Sequence, residues 1–211
     1  MTRVKICGLT MEDDVKHAAS YGAWACGFVL SESPRRVSVA RAAELTPLCG
    51  DSLAVAVVAA EEPAWIAGAV AAGGFGAIQL SAGADGPSVA AVRAAALSRG
   101  LRPLVIAAAD TADAAEADLI ALDARAPEAY GGAGRRLDGR ALAAAKLPRE
   151  RLVLAGGLVP SNVDGAIKLG RPFAVDVSSG IERKPGVKDP RLMRAFFGVV
   201  AGADLSGGAV S

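Results

Sequence analysis

A thiol, a lysine, two carboxylates and several glycine pairs stand where they could do chemistry. Cys7 ends the run RVKIC, whose alternation puts Lys5 and Cys7 on one face of a strand and Val4 and Ile6 on the other. A free thiol is only a few per cent thiolate at neutral pH, and a nearby ammonium favours the anion. Lys5 is the candidate for that ammonium. Asp123 follows the apolar run LIAL, so it would look across the end of a strand. Asp176 lies between Val175 and Val177, where an unpaired carboxylate is costly to bury. Each has a plain structural alternative: a lone cysteine packs as a small hydrophobe, and an acid caps a helix or accepts buried hydrogen bonds. Cys26 and Cys49 read as buried hydrophobes. The runs LAGGLVPSN and VDVSSG expose small residues and backbone amides, and glycine lets such amides approach an anion closely. A helix N-terminus after the first run, capped by Ser161 or Asn162, would add a favourable dipole for phosphate.

These residues need elements to hold them. Short β-branched or apolar runs alternate with Ala-rich stretches of helical periodicity, the pattern of successive βαβ units. Strands are predicted at Arg3 to Cys7, Ala25 to Leu30, Leu53 to Val58, Ala77 to Leu80, Leu104 to Ala107, Leu119 to Leu122, Leu152 to Ala155 and Phe173 to Val177. Helices are predicted over Glu12 to Tyr21, Val39 to Leu48, Pro63 to Ala72, Pro87 to Arg99, Ser161 to Leu169 and Pro190 to Val200. Eight parallel strands in a chain this short point to a single α/β domain, a closed (β/α)8 TIM barrel over residues 1–200. An open doubly wound sheet would carry its glycine-rich loop after the first strand. Here Gly131-Gly132, Gly156-Gly157 and Ser178-Ser179-Gly180 follow strands six to eight, where barrels bind phosphate. Residues 201–211 read as a flexible tail.

Composition narrows the partners. With 23 Lys plus Arg against 22 Asp plus Glu, scattered along 211 residues, nothing marks a nucleic-acid or membrane surface. The longest apolar runs are far shorter than the ~20 residues of a spanning helix, and the N-terminus lacks a secretory signal, so a cytoplasmic protein is expected. Three cysteines and one histidine, His17, provide neither a disulfide framework nor a zinc site. No metal and no organic cofactor are expected.

The segments VKICGLT, GFVL, SPRRV, ALD, GGAG, LAGGLVPSNV and VDVSSGIERKPGVKD together make the chain resemble the phosphoribosylanthranilate isomerase family of tryptophan biosynthesis. The opening KICG and the closing DVSSG with PGVKD are the most specific of these. The resemblance implies an eight-stranded barrel and an Amadori rearrangement of N-(5-phosphoribosyl)anthranilate to a 1-amino-1-deoxyribulose 5-phosphate. By matching positions, it implies Cys7 as general base and Asp123 as general acid. Arg35 would hold the anthranilate carboxylate, with Arg36 in the next slot, and Asp176, Lys5 and Gln79 would contact substrate. The amides of Gly132, Gly134, Gly156, Gly157, Ser179 and Gly180 would bind phosphate. The implied partner is a phosphorylated small molecule, and the implied assembly a monomer or homodimer.

The chain departs from the family pattern at several places. Ser81 stands where a histidine is usual, Ala107 where a strand-five lysine is common, and Ala59 or Ala60 where a polar residue ends strand three. Ala133 replaces a threonine and Gly139 a tryptophan. These changes predict a roomier, less polar rim. They keep two alternatives open: a paralogue with shifted substrate, or a catalytically silent barrel that binds phosphate. A pentose-phosphate epimerase would need metal-binding histidines that His17 alone does not supply, and an indole-forming lyase ranks with it behind the others.

Overall fold

The computed structural model describes residues 1–123 and 147–207. Eight parallel strands, β1 (Arg3–Cys7), β2 (Ala25–Val29), β3 (Leu53–Val58), β4 (Ala77–Leu80), β5 (Leu104–Ala108), β6 (Leu119–Asp123), β7 (Leu152–Ala155) and β8 (Ala174–Val177), pair in chain order and close β8 back onto β1. Every predicted strand is present, with ends displaced by one residue at most. The alternation of each strand divides the core in two. Inside the barrel Ala25, Val55, Val57, Ala77, Ile106, Leu119, Val153 and Ala174 pack against one another. Outward, residues such as Ile6, Phe28, Val58, Ile78 and Val175 pack under the helices. Small residues dominate the inner set, which lets so short a chain close its barrel around a filled lumen.

The helices are α1 (Glu12–Ser20), α2 (Val39–Leu45), α3 (Pro63–Gly73), α4 (Val89–Leu97), α5 (Val163–Gly170) and α6 (Pro190–Gly207). Ser38 and Ser88 cap α2 and α4 by accepting from the amides of Arg41 and Ala91. The extended conformation of Ser88 starts α4 at Val89, after the predicted Pro87. Past Leu45 the chain tightens into a 3-10 turn, Thr46–Cys49, because Pro47 has no N–H to continue α2 to its predicted end at Leu48. At the C-terminus α6 continues beyond the predicted Val200. Met193, Phe196, Val200 and Ala203 are all buried, a helical stripe that extends into the stretch expected to fray. Residues 201–207 are therefore helix, and the rest of the expected tail lies outside the described residues.

Not foreseen, besides several short 3-10 turns, is an antiparallel pair after β8, β9 (Glu182–Lys184) with β10 (Val187–Lys188), turning at Gly186 with φ +80°. Three and two residues are too few for alternation to register in a sequence pattern. No helix among the described residues is long and apolar enough to cross a membrane.

Candidate active site

The closing seam of the barrel sets the charge arrangement. Register places Lys5 of β1 directly beside Asp176 of β8, so their side chains share the lumen. Lys5 Nζ donates to Asp176 Oδ2 at 2.7 Å, with both side chains withdrawn from water. Burial alone would drive Lys5 to lose its proton, but attraction to Asp176 and then to Cys7 more than offsets this and holds its pKa above the ordinary value. Asp176 keeps its other oxygen, Oδ1, buried without a hydrogen-bond partner among the described residues. Gly27 of β2 makes this arrangement possible: a Cβ there would press on both Cys7 Sγ and Lys5 Nζ at 3.1 Å.

Cys7 ends β1 at the mouth of the barrel. Desolvation raises its thiol pKa above the usual value; Lys5 pulls the other way and Asp176 pushes with the desolvation. Lys5 thus favours the thiolate, as its place on the same strand face suggests. Burial outweighs that help, and the net shift is toward the neutral thiol. Asp123 ends β6, exposed and level in register with Ala155. Cys7, Asp123 and Asp176 line one cavity of 160 Å³ together with residues 155–158 and 178–180. Among the predicted phosphate residues, Gly156, Gly157, Ser179 and Gly180 border it, whereas Gly132 and Gly134 lie outside the described residues.

The loop after β7 depends on its glycines. Gly156 and Gly157 have φ of +88° and +65°, which side-chain-bearing residues rarely adopt. Asn162 does precede α5, but its side chain does not cap it. Its Oδ1 accepts from the Val159 amide at 2.8 Å and its Nδ2 donates to the Gly157 carbonyl at 3.0 Å, tying the loop into shape. A Cβ on Gly180 would run into the Leu158 carbonyl, so the loops after β7 and β8 touch only because that position is glycine.

Arg35 stands just outside the cavity wall. Its stem crosses Gly8, at φ +71°, where a Cβ would collide with Arg35 Cδ and approach Ser178 Oγ to 3.0 Å. Its Nε and Nη2 grip both oxygens of Glu182 at 2.7 to 3.2 Å. Arg36 points elsewhere, donating to the Leu30 carbonyl at 3.1 Å and to exposed Glu32 at 3.2 Å. Gln79 lies in the lumen in register with Val57 and Ile106, buried with Oε1 unpartnered among the described residues, and does not border the cavity that holds Cys7.

Sequence reasoning missed Glu182 and Lys188, although both fall in the recognised VDVSSGIERKPGVKD run. Lys188 is fully withdrawn from water. Its Nζ contacts Cys7 O at 2.6 Å, Glu182 Oε1 at 2.8 Å, Ser178 O at 3.3 Å and Ser178 Oγ at 3.4 Å. Burial lowers its pKa against the pull of Glu182. For Glu182 burial works upward, yet hydrogen bonds from Arg35 and Lys188 carry its carboxyl below the ordinary value. The only available signal was a lysine and a glutamate near an apolar strand end, which alone also describes a solvated loop.

Two of the departures have structural readings. Ala107 does not face the mouth: it is fully buried under the helices, and the inward residues of β5 are Ile106 and Ala108. The inference that Ala107 makes the rim roomier is thus withdrawn. Ser81 donates to the Val58 carbonyl at 2.7 Å. Ala133 and Gly139 lie outside the described residues.

The sequence model of the N-(5'-phosphoribosyl)anthranilate isomerase family matches residues 4–199. A relative of that name from Desulforudis audaxviator is 37% identical over 208 residues, covering 93% of this chain and 97% of its own. The solved structure of TrpF from Jonesia denitrificans superposes with a TM-score of 0.82 at 35% identity, covering 97% of this chain and 98% of that one. A phosphoribosylanthranilate isomerase solved in complex with reduced 1-(o-carboxyphenylamino)-1-deoxyribulose 5-phosphate superposes at 0.76 and 33% identity, covering 96% of this chain and all of the other. With the barrel closed, its mouth carrying a thiol, a carboxylate and glycine loops, and these likenesses spanning nearly its whole length, the chain belongs to the phosphoribosylanthranilate isomerase family.

Proposed function

We propose that this protein isomerises N-(5-phosphoribosyl)anthranilate to 1-(2-carboxyphenylamino)-1-deoxyribulose 5-phosphate, with Asp123 as general acid and Cys7 as general base. The observation that carries the reading is the single cavity bordered by Cys7, Asp123, Asp176 and two loops of glycine and serine. Asp123 protonates the furanose oxygen as the C1–O bond breaks, and the nitrogen lone pair forms an iminium. The thiolate form of Cys7 then takes the C2 proton, and the released electron pair makes an enolamine that tautomerises to the ketose. Amides of Gly156, Gly157, Ser179 and Gly180 hold the phosphate, fixing the sugar between acid and base. Asp176 Oδ1, unpartnered in the lumen wall, accepts a sugar hydroxyl. Arg35 offers its guanidinium to the arene carboxylate. Every proton is exchanged with a side chain, so the chemistry calls for no metal or redox cofactor. The setting is a cytoplasmic biosynthetic route.

The test is a turnover assay of the purified chain with N-(5-phosphoribosyl)anthranilate, which should yield the carboxyphenylamino ketose phosphate. Absence of product, with inorganic phosphate still raising the melting temperature, would replace this reading with that of a silent phosphate-binding barrel. Ala107 lends the silent reading no support, since it faces the helices rather than the lumen.

A further inference from the structure

Arg35, Glu182 and Lys188 form a buried chain of alternating charge. Lys188 Nζ and the Arg35 guanidinium both hold Glu182, whose side chain is 4% exposed, while Arg35 is 23% exposed. Glu182 occupies only the Nε/Nη2 side of Arg35. A guanidinium has five donors, so the Nη1/Nη2 fork remains geometrically able to take a second carboxylate. Electrostatics opposes this. An arginine fully neutralised by Glu182 would present a new anion with a net charge near zero and a buried carboxylate close behind it.

Lys188 removes that conflict. Its Nζ meets four oxygens at 2.6 to 3.4 Å, from Cys7, Glu182 and the carbonyl and hydroxyl of Ser178, enough to satisfy the three donors of an ammonium. The chain Lys188–Glu182–Arg35 thus carries one net positive charge, and only its arginine end reaches solvent. We infer that Lys188 is a positioning residue that neutralises Glu182, so that Glu182 can orient Arg35 while the arginine's charge remains available to the carboxylate of the substrate's arene. The inference rests on the proposed role of Arg35. It adds that recognition of the carboxylate is set from behind, by a lysine that never touches substrate. Lys188 also donates to the Cys7 carbonyl and to Ser178, so the same ammonium fixes the base's strand end and the loop after β8 relative to the arginine.

The test measures calorimetric binding of reduced 1-(o-carboxyphenylamino)-1-deoxyribulose 5-phosphate and of its phenylamino counterpart lacking the carboxylate. It uses the full chain, Lys188→Met, and the double variant Lys188→Met/Glu182→Gln. Lys188→Met leaves the pair neutral, and the dissociation constant for the carboxylated ligand should rise about tenfold or more, with a change under about threefold for the other. The double variant restores one net charge on Arg35 and should return the carboxylated ligand to within about threefold of wild type. An equal loss for both ligands, or a double variant that is worse than the single, would overturn the inference. If Lys188→Met is unfolded at the assay temperature, the double variant decides: it leaves no carboxylate unpaired, and a tenfold loss confined to the carboxylated ligand would sink the proposal. A wild type that binds the ligand but shows no turnover refutes the isomerase reading and leaves this one standing. A wild type that binds neither ligand refutes this one.

Discussion

Two cavities flank the first strand. Beside its start, an open cleft of 680 Å³ is bordered by Tyr21, Trp24, Phe197 and neighbouring residues. Beyond its end, among the described residues, lies a cavity of 160 Å³ bordered by Cys7, Asp123 and Asp176. The larger space is walled by rings in ordinary packing: Trp24 meets Phe173 edge-on at 5.2 Å, and Arg3 and Arg194 sit over the rings of Phe173 and Tyr21. The smaller holds a buried carboxylate oxygen without a partner among the described residues and a thiol pushed away from its charged form. Volume alone does not distinguish the two ends; residue type does, with aromatic rings at one and a thiol and two carboxylates at the other.

The sharpest way to break this contrast is to remove the acid or the base. Cys7→Ser and Asp123→Asn should each lower kcat by at least about 10²-fold in steady-state assays, the scale of a general acid–base contribution, and near-normal turnover in either would remove that assignment. Asp176→Ala strands the buried Lys5 ammonium, and should cost about 3 kcal/mol of unfolding free energy in a urea titration. A loss within experimental error would show that water already reaches the pair. Arg35→Ala should raise KM about tenfold with a smaller effect on kcat. An unchanged KM would take the carboxylate away from Arg35, and Arg36, held by Leu30 and Glu32, is poorly placed to inherit it.

At the opposite end, Trp24→Phe should leave kcat within about twofold while costing about 1 kcal/mol, read as a lower melting temperature, since it trims an aromatic contact and nothing catalytic. A large fall in kcat would erase the distinction between the two ends. The smallest effect concerns acid. Glu182 is held below its ordinary value of 4.5, so its stabilisation is complete above that pH and is lost as pH falls through the lower folded-state value. Melting curves of Glu182→Gln between pH 6 and 3 should therefore be flatter than those of the wild type.

Much of this was legible in the sequence. The barrel followed from eight short apolar runs separated by helical stretches, because parallel strands buried on both faces read as near-continuous apolar segments. Cys7, Asp123 and Asp176 were visible as polar residues at strand ends or within strands. What escaped depended on distant partners. No local pattern shows that Lys5 would meet Asp176 as well as Cys7, since that follows from closure of the sheet. Glu182 and Lys188 sit in a five-residue hairpin pair with no periodicity, and only the folded chain brings them to Arg35. Ala107 misled for the opposite reason: a match of motif position says nothing about which face of β5 the residue occupies.

The ion pair at the seam also constrains how the molecule comes into being. Lys5 and Asp176 are 171 positions apart, so during synthesis the lysine of the first strand has no counter-charge until the last strand leaves the ribosome. Until then β1 gains little by entering the lumen, where its ammonium would be dehydrated and alone. A chain that stops short of β8 therefore lacks the carboxylate that makes burial of Lys5 tolerable.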